Sequence, residues 1–515
     1  MSPEEEIIDV SFVSATYSSF LPWQKKCIIG LAASAGWFSS ISSFVYFPAI
    51  PFLASDLHVS VSQVNLTFTS YLIMSGIFPA IIGDAADRFG RRPALLAALA
   101  VYVGANIALA LQTQFALLVI FRMLQSAGIS GTFSIAYGVL GDLFTPAERG
   151  GYSGVMSFLY FLACPISPRK NLLDANRSCS LNTPPSLGPI LSGLLLLRWS
   201  WRSVFWFLTV ASAICLVCMV LFLPETARSL VSDGSIPAKG VNKAALPILS
   251  PKLVLGAQDG NRASQQKGGW KVPNPWASLD LLRYPDTGII LVAYGINYSV
   301  YCCVQASLST LFVDVYHVSG LVAGMIYIPF GVACAFTAFM TGRLLDISYR
   351  KTAAESGIVV EKGKASDLGD FPIERARLRY VKLSVVLSGV CVMGYGWLLQ
   401  AHTIMAAPLV LQFFIGLTIQ TVFTALNTLL VDTHPECPST AQAACNFVRC
   451  EMAAACLAAL DPMLRRVGPG WSFTIFGAAL FLEALMLVLL QAKGMEWRRS
   501  RSLPGQQMEC GRSAA

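Results

Sequence analysis

Long apolar runs separated by short polar segments alternate along almost the whole of this sequence. A helix that crosses a membrane needs about 20 predominantly apolar residues, and the chain offers about twelve runs of roughly that length. They fall into two groups of six on either side of residues 224–285, which are polar and rich in Gly, Pro, Ser and Lys. Because backbone groups must be hydrogen-bonded inside a bilayer, the pattern predicts an all-α polytopic membrane protein made of two six-helix bundles.

The predicted spans also predict the domain boundaries. The spans are 27–53, 64–83, 94–111, 115–140, an interrupted segment 152–197 and 204–223 in the first half, and 288–312, 322–342, 383–399, 406–431, 441–460 and 471–490 in the second. The expected domains are an N-terminus (1–26), a first bundle (27–223, with an anomalous insertion at 167–185), a central linker (224–287), a second bundle (288–493) and a tail (494–515).

Composition and loop charge support a membrane protein and predict its orientation. The 515 residues are 55% hydrophobic and 13% charged, whereas soluble domains carry roughly 45–50% apolar and about 25% charged residues. A net charge of +8 could indicate nucleic acid, but the basic residues lie in loops between apolar runs. Basic loops stay in the cytoplasm, so both termini are expected there. The expected partner is therefore the lipid bilayer and not nucleic acid.

An internal repeat relates the two halves. GDAADRFGRR begins at Gly83 and GRLLDISYRK begins at Gly342, and both obey G-x-x-x-D-x-x-x-R-[RK]. Each copy follows the second span of its half. Two parallel six-helix repeats related by a pseudo-two-fold axis place the substrate between the halves, near the middle of the membrane.

Several motifs together resemble the major facilitator superfamily. The loop sequence is similar to that family's signature, and the resemblance extends over nearly the whole chain. GPILSG, with Gly188, Pro189 and Gly193, resembles the antiporter motif of the drug:proton antiporter branch. Other matching stretches are RMLQSAG (122–128), PETAR (224–228), DFPIERARLR (370–379) and NFVRC (446–450), the last two being similar to fungal quinidine-resistance-type exporters.

The resemblance implies that the loop motif is a gate that holds the cytoplasmic sides of the halves together. Gly83 and Gly90 are expected to allow close helix approach and a tight turn, while Asp87 pairs with Arg91 or Arg92 or faces a helix N-terminus. The alternative is that these arginines are plain orientation charges. The gate residues expected are Gly83, Asp84, Asp87, Arg88, Gly90, Arg91 and Arg92, with Gly342, Asp346 and Arg350 in the second copy.

Polar residues inside apolar spans are the candidates for substrate binding or coupling. The family places an arginine at the position of Arg122, which implies a role in proton coupling or substrate binding; snorkelling to the membrane surface is the alternative. Asn297, Tyr301 and Gln305 recur every fourth residue, and this polar stripe faces either the cavity or another helix. The remaining candidates are Gln125, Asn427, Asn446 and Arg449.

The resemblance implies a transporter driven by a proton gradient, with no cofactor and no metal. Glu451, Asp461 and Glu483 are acids within the last two spans, and the sequence does not select a proton acceptor among them. The four histidines are isolated, and HExxH, GxSxG and Walker motifs are absent from the sequence, so an enzyme is not expected.

The fifth span is interrupted by a polar run at residues 167–185. Removing it joins two short apolar pieces into one span with GPILSG in its middle. We interpret the run as a retained intron or gene-model error. The alternative is a true outer loop, in which Asn176 is a glycosylation site.

We therefore expect a monomeric, proton-coupled exporter of small amphipathic organic molecules, either drugs or fungal secondary metabolites. The plasma membrane is the expected location and the vacuolar membrane the alternative. Uptake, or a non-transporting nutrient sensor on the same fold, is the alternative function.

Overall fold

The computed structural model describes residues 18–144, 187–249 apart from 235 and 239, 281–356 apart from 319, 371–434 and 438–501. The regular elements of these residues are helices. Within them, nine helices are long and apolar enough to cross a membrane, and a shorter apolar helix covers Val322–Cys334. The predicted insertion, including Asn176, lies outside the described residues, and its two interpretations stay predictions.

The first half contains the first to sixth spans, numbered by their order in the chain. The helices are Pro22–Phe44, Phe47–Ala49 (a 3-10 turn) and Ile50–Asp56 in the first span, Val61–Phe89 in the second, Arg91–Leu111 in the third, Phe115–Ser130 and Thr132–Leu143 in the fourth, Leu187–Leu196 in the fifth, and Arg202–Phe222 in the sixth. A helical turn, Arg228–Val231, and 3-10 turns at Gly240–Asn242 and Pro247–Leu249 follow.

The second half contains the seventh to twelfth spans. The helices are Pro285–Tyr316 in the seventh span, Gly320–Met325 and Ile328–Glu355 in the eighth, Ile373–Leu378 and Val381–Gln400 in the ninth, Ala406–Thr433 in the tenth, and Pro438–Arg501, which contains the eleventh and twelfth. Gly468 divides this last helix at a φ of 82°, a left-handed conformation that favours glycine. The domain boundaries predicted above are not tested by these limits and stay predictions.

The helices turn apolar side chains outward, as lipid contact requires. On the sixth span Val210, Ile214 and Val217 are each more than half exposed.

The second span begins with a helix cap. Ser60 accepts a hydrogen bond from the backbone N–H of Gln63, and the Gln63 side chain accepts one from Ser60 N. This reciprocal arrangement satisfies two N–H groups at the helix start.

Among the described residues, the two halves contact each other at several places. The second span packs along the eleventh, the fifth packs against the eighth, and the end of the first lies against the seventh. At the second contact, a Cβ placed on Gly324 would lie 2.8 Å from Gly193 Cα and 2.9 Å from Pro189 O. Small residues therefore let the two backbones meet at this point. The end of the molecule that holds Arg91 and Arg377 is called the basic face. The contact of Gly324 lies towards the other end.

Candidate functional site

Arg122 is completely buried in the middle of the first bundle. Its guanidinium carbon lies 3.9 Å from the centre of the Tyr46 ring and 4.7 Å from that of Tyr71. Its Nη1 donates a 2.6 Å hydrogen bond to Gln125 Oε1, while its Nε and Nη2 have no hydrogen-bond partner among the described residues. The snorkelling alternative is therefore wrong in this structure, because the cation lies inside the protein and not at the membrane surface.

A chain of polar contacts fixes the position of Arg122. Gln125 Nε2 donates to Asn106 Oδ1 at 2.7 Å, and Asn106 Nδ2 donates to the carbonyl of Tyr102 at 2.8 Å. On the other side, Ser126 Oγ donates to the carbonyl of Tyr71 at 2.6 Å, so this serine ties the fourth span to the second. Arg122 and Gln125 are predicted from the sequence, whereas Asn106 is not, although it is a polar residue inside an apolar run.

Arg449 of the eleventh span is the candidate cation of the second bundle. Its Nε and Nη2 donate to Asn446 Oδ1 at 2.9 and 2.6 Å, and its guanidinium carbon lies 4.9 Å from the centre of the Tyr298 ring. Asn446 Nδ2 in turn donates to the carbonyl of Ser75 in the second span at 2.9 Å. The candidates Asn446 and Arg449 are thus hydrogen-bonded to each other, and Asn446 joins the eleventh span to the second across the contact between the halves.

The other amide candidates lie apart from this cluster. Asn427 accepts a 2.6 Å hydrogen bond from Gln442 Nε2, between the tenth and eleventh spans. Gln305 is completely buried, and both polar atoms of its amide lack hydrogen-bond partners among the described residues.

The predicted stripe on the seventh span does not face a single environment. Asn297 Nδ2 lies 3.4 Å from both carboxylate oxygens of Glu483 in the twelfth span. One turn further on, the Tyr301 ring contacts Phe44 of the first bundle at 5.8 Å and Phe330 of its own bundle at 5.5 Å between ring centres. Asn297 therefore faces another helix, while Tyr301 lies between the two halves.

The structure separates the three acids of the last spans. Asp461 forms a 2.9 Å ion pair with Arg465 one turn away. Glu483 is completely buried beside Asn297. Glu451 Oε1 is buried without a hydrogen-bond partner among the described residues, and it lies 2.9 Å from the position a Cβ would take on Gly76 of the second span. Glu451 thus lies where the two halves touch.

At the basic face, Glu225 of the PETAR motif organises the loop motif. Its Oε1 accepts hydrogen bonds from the backbone N–H groups of Arg91, Thr226 and Ala227, each at 2.9 Å, and its Oε2 accepts one from Arg92 N at 3.2 Å. A carboxylate at the start of the third span satisfies N–H groups that have no partner within the helix. The sequence identifies PETAR only as a family feature, and this role of Glu225 is not predicted from it.

The side chains of the loop arginines continue this network. Arg91 Nε lies 3.1 Å from Asp142 Oδ2 at the end of the fourth span. Arg92 is buried, and its Nε and Nη2 donate to the carbonyls of Leu223 and Val220 in the sixth span, both at 2.8 Å. We call Arg91, Arg92, Asp142 and Glu225 the first clamp, because together they join the ends of the third, fourth and sixth spans.

The second bundle repeats this arrangement. Arg377 Nε lies 2.9 Å from Asp432 Oδ2, which joins the start of the ninth span to the end of the tenth as Arg91 and Asp142 join the third and fourth. Arg498 Nε lies 3.1 Å from Glu374 Oε1, joining the ninth span to the twelfth. We call these four residues the second clamp. The positions of acid and arginine are reversed between the two bundles. Arg92 begins the third span and Glu225 follows the sixth, whereas Glu374 lies at the start of the ninth span and Arg498 at the end of the twelfth.

The two glycines of the loop motif have different surroundings. Gly90 has a φ of 110°, and a Cβ there would overlap Glu225 Oε2, so the expected tight turn does require glycine. The close helix approach expected at Gly83 is not found, because no described atom lies within 4 Å of the position its Cβ would take. Arg88 and Arg350 are exposed. The side chains of Asp84, Asp87 and Asp346, and the surroundings of Gly342, lie outside the described residues.

The antiporter motif lies at the junction of three spans. A Cβ on Gly188 would come within 2.8 Å of Val45 N and 2.9 Å of Phe44 Cβ in the first span. Gly193 Cα and the carbonyl oxygen of Pro189 lie closest to the position that a Cβ would take on Gly324 of the eighth span. The motif thus packs against both halves at once.

Comparisons with known proteins agree with this architecture. The chain matches the Major Facilitator Superfamily over residues 32–169 and 175–459, and the break falls within the anomalous 167–185 run. MFS-type transporter phiD of Fungal sp. (strain ATCC 74256) is 36% identical over 97% of this chain and 73% of its own. Multidrug transporter QDR2 of Candida glabrata is 31% identical (93% and 82% covered), and Citrate exporter 1 of Aspergillus niger is 32% identical (93% and 87%).

A solved structure supports the fold. The human organic anion transporter MFSD10 (TETRAN) is similar with a TM-score of 0.53 and 15% sequence identity, covering 90% of this chain and 99% of that one. The likeness confirms the predicted all-helical, two-bundle fold.

Proposed function

The chain belongs to the major facilitator superfamily, whose matched relatives are transporters and not enzymes, and we propose that it is a proton-coupled exporter of small organic molecules at the plasma membrane. The observation that carries the proposal is the pair of arginines within apolar spans, completely buried Arg122 and half-buried Arg449, each of which contacts at least one tyrosine ring. Buried charges inside a bilayer are costly and mark substrate or ion pathways.

Export is favoured over uptake by the antiporter motif. Gly188 and Gly193 place the fifth span directly against the first and eighth spans, so movement of the halves must rearrange this junction. The name of one relative, a citrate exporter, also supports transport out of the cell.

Proton coupling requires a group that gains and loses a proton inside the membrane. Glu451 and Glu483 are the proposed carriers, because Glu483 is completely buried, Glu451 is half-buried with its Oε1 buried, and neither has an ion-pair partner among the described residues, whereas Asp461 is paired with Arg465. Glu451 lies at the contact between the halves and Glu483 lies within the second bundle, so they would respond to different movements.

The test is flux in inside-out plasma-membrane vesicles from cells that produce the protein, with vesicles from cells lacking it as control. Labelled citrate and labelled quinidine are offered outside while the vesicle interior is made acidic. We expect accumulation of at least one of them that a protonophore abolishes. Accumulation that ignores the protonophore would overturn coupling. Accumulation by intact cells instead of vesicles would overturn export. Glu496→Gln, at an exposed position beyond the twelfth span, is the control variant and should transport normally.

A further inference from the structure

We propose that the substrate is an organic anion: a planar carboxylate attached to an apolar, ring-like body, gripped by Arg122 of the first bundle and attracted by Arg449 of the second. The inference rests on the proposed transport function and specifies its substrate class.

One edge of the Arg122 guanidinium has no hydrogen-bond partner among the described residues. Gln125 occupies Nη1, whereas Nε and Nη2 have no hydrogen-bond partner among the described residues although the side chain is completely buried. Nε and Nη2 form one edge of the guanidinium, the edge that binds a carboxylate through two parallel hydrogen bonds. Arg122 therefore presents two parallel N–H donors, on Nε and Nη2, that a planar carboxylate could accept.

The charge around this edge is also unbalanced. None of the ion pairs found among the described residues involves Arg122 or Arg449. Ring contacts with Tyr46 and Tyr71 offset only part of the cost of burying an unpaired ion. An anionic ligand would supply the missing counter-charge. A cationic or neutral ligand would leave it unmet.

Both arginines are connected to the same stretch of the second span. Tyr71 contacts Arg122, and the carbonyl of Ser75 holds Asn446, which in turn holds Arg449. Four residues separate Tyr71 from Ser75, or about 6 Å along the helix axis. Arg122 and Arg449, from opposite halves, are thus both connected to one turn of the second span, and an anion bound beside that turn would be attracted by both cations.

The neighbouring side chains predict the rest of the ligand. Tyr301 contacts Phe44 and Phe423 at ring-centre distances of 5.8 and 6.0 Å, and Tyr298 lies beside both Arg449 and Tyr301. Rings stack on flat apolar groups, so an aromatic body beyond the carboxylate suits this surface. The alternative explanation is that Arg122 has a structural role only and stabilises the packing of Tyr46 against Tyr71.

A binding measurement without any gradient decides between them. Thermal stabilisation of the purified full chain is recorded with 2-naphthoate and with 2-naphthamide, which has the same shape and no charge. We expect stabilisation by the acid and not by the amide. Arg122→Gln should weaken apparent affinity for the acid about 10- to 100-fold. Arg122→Lys should restore only part of it, because an ammonium has no two-donor edge.

Arg465→Gln is the matched control, since this arginine is largely exposed and pairs with Asp461; it should bind the acid as the wild type does. Equal stabilisation by acid and amide, or none by the acid at millimolar concentration, would overturn the proposal, as would unchanged affinity in Arg122→Gln. If Arg122→Gln does not fold, the acid–amide comparison on the wild type still decides. Proton-driven quinidine flux without binding of 2-naphthoate would refute this inference and leave the proposed function standing. Binding of 2-naphthoate without proton-driven flux would refute only the proposed function.

Discussion

Replacing Glu225 by alanine tests the role given to the PETAR carboxylate at the basic face. The wild-type side chain is 2% exposed and accepts four backbone N–H groups, at 2.9 Å from Arg91, Thr226 and Ala227 and at 3.2 Å from Arg92. Alanine removes every one of these acceptors and leaves the buried Arg92 without the nearby negative charge.

The expected cost follows from these contacts. Loss of a helix cap costs about 0.5–2 kcal/mol, and each buried donor left unsatisfied costs about 1–3 kcal/mol. Because water from the basic face can reach some of the freed groups, we expect a total of about 3–5 kcal/mol for Glu225→Ala. Glu225→Gln keeps one oxygen, which serves three of the four donors, but its NH₂ then faces Arg92 N; we expect about 1–2 kcal/mol.

The assay is the thermal unfolding midpoint of the detergent-purified protein. The two bundles need not unfold together, so the order of the variants is compared and not an extrapolated free energy. The midpoint should fall from wild type to Glu225→Gln to Glu225→Ala. Gly90→Ala should also lower it, since the new Cβ collides with the same carboxylate. Glu496→Ala, an exposed acid, should not. An unchanged midpoint in Glu225→Ala would refute the capping role.

Further variants test the gate, the junction between halves, coupling and the fifth span. Asp87→Ala and Arg91→Ala should impair turnover far more than expression, because losing about 1–3 kcal/mol in a two-state lock shifts populations about 5–150-fold; wild-type turnover in purified variants would contradict this. Gly324→Leu should separate the fifth and eighth spans and abolish flux while leaving the amount of protein in the membrane unchanged; normal flux would show that their close approach is dispensable. Glu483→Gln, which mimics the protonated acid, should remove the dependence of flux on the pH gradient; an unaltered dependence would exclude Glu483 as a carrier. Sequencing the transcript should show that residues 167–185 are absent from the main mRNA; a dominant mRNA that encodes them would refute the intron interpretation.

The sequence alone determined the membrane class, the two bundles and most of the spans. The seventh span, predicted at 288–312, is the helix Pro285–Tyr316, and the tenth, predicted at 406–431, is Ala406–Thr433. Span position depends on local apolar content over about 20 residues, which a single sequence displays directly. The loop signature was likewise readable, because its glycines and charges lie within ten adjacent positions.

Only the tertiary structure decided the partners of the polar residues. Arg91 meets Asp142, and its backbone meets Glu225, far along the chain in both cases. The predicted pairing of Asp87 with Arg91 or Arg92 stays a prediction, because the side chain of Asp87 lies outside the described residues. Helical periodicity grouped Asn297 with Tyr301, yet one faces Glu483 and the other Phe44. Residues four apart on a helix share a face only approximately, and whether that face meets a lipid, a cavity or a third helix depends on how the spans pack. That packing is set by small-residue contacts such as Gly324 on Gly193, which join elements distant in sequence and leave no local pattern to be read.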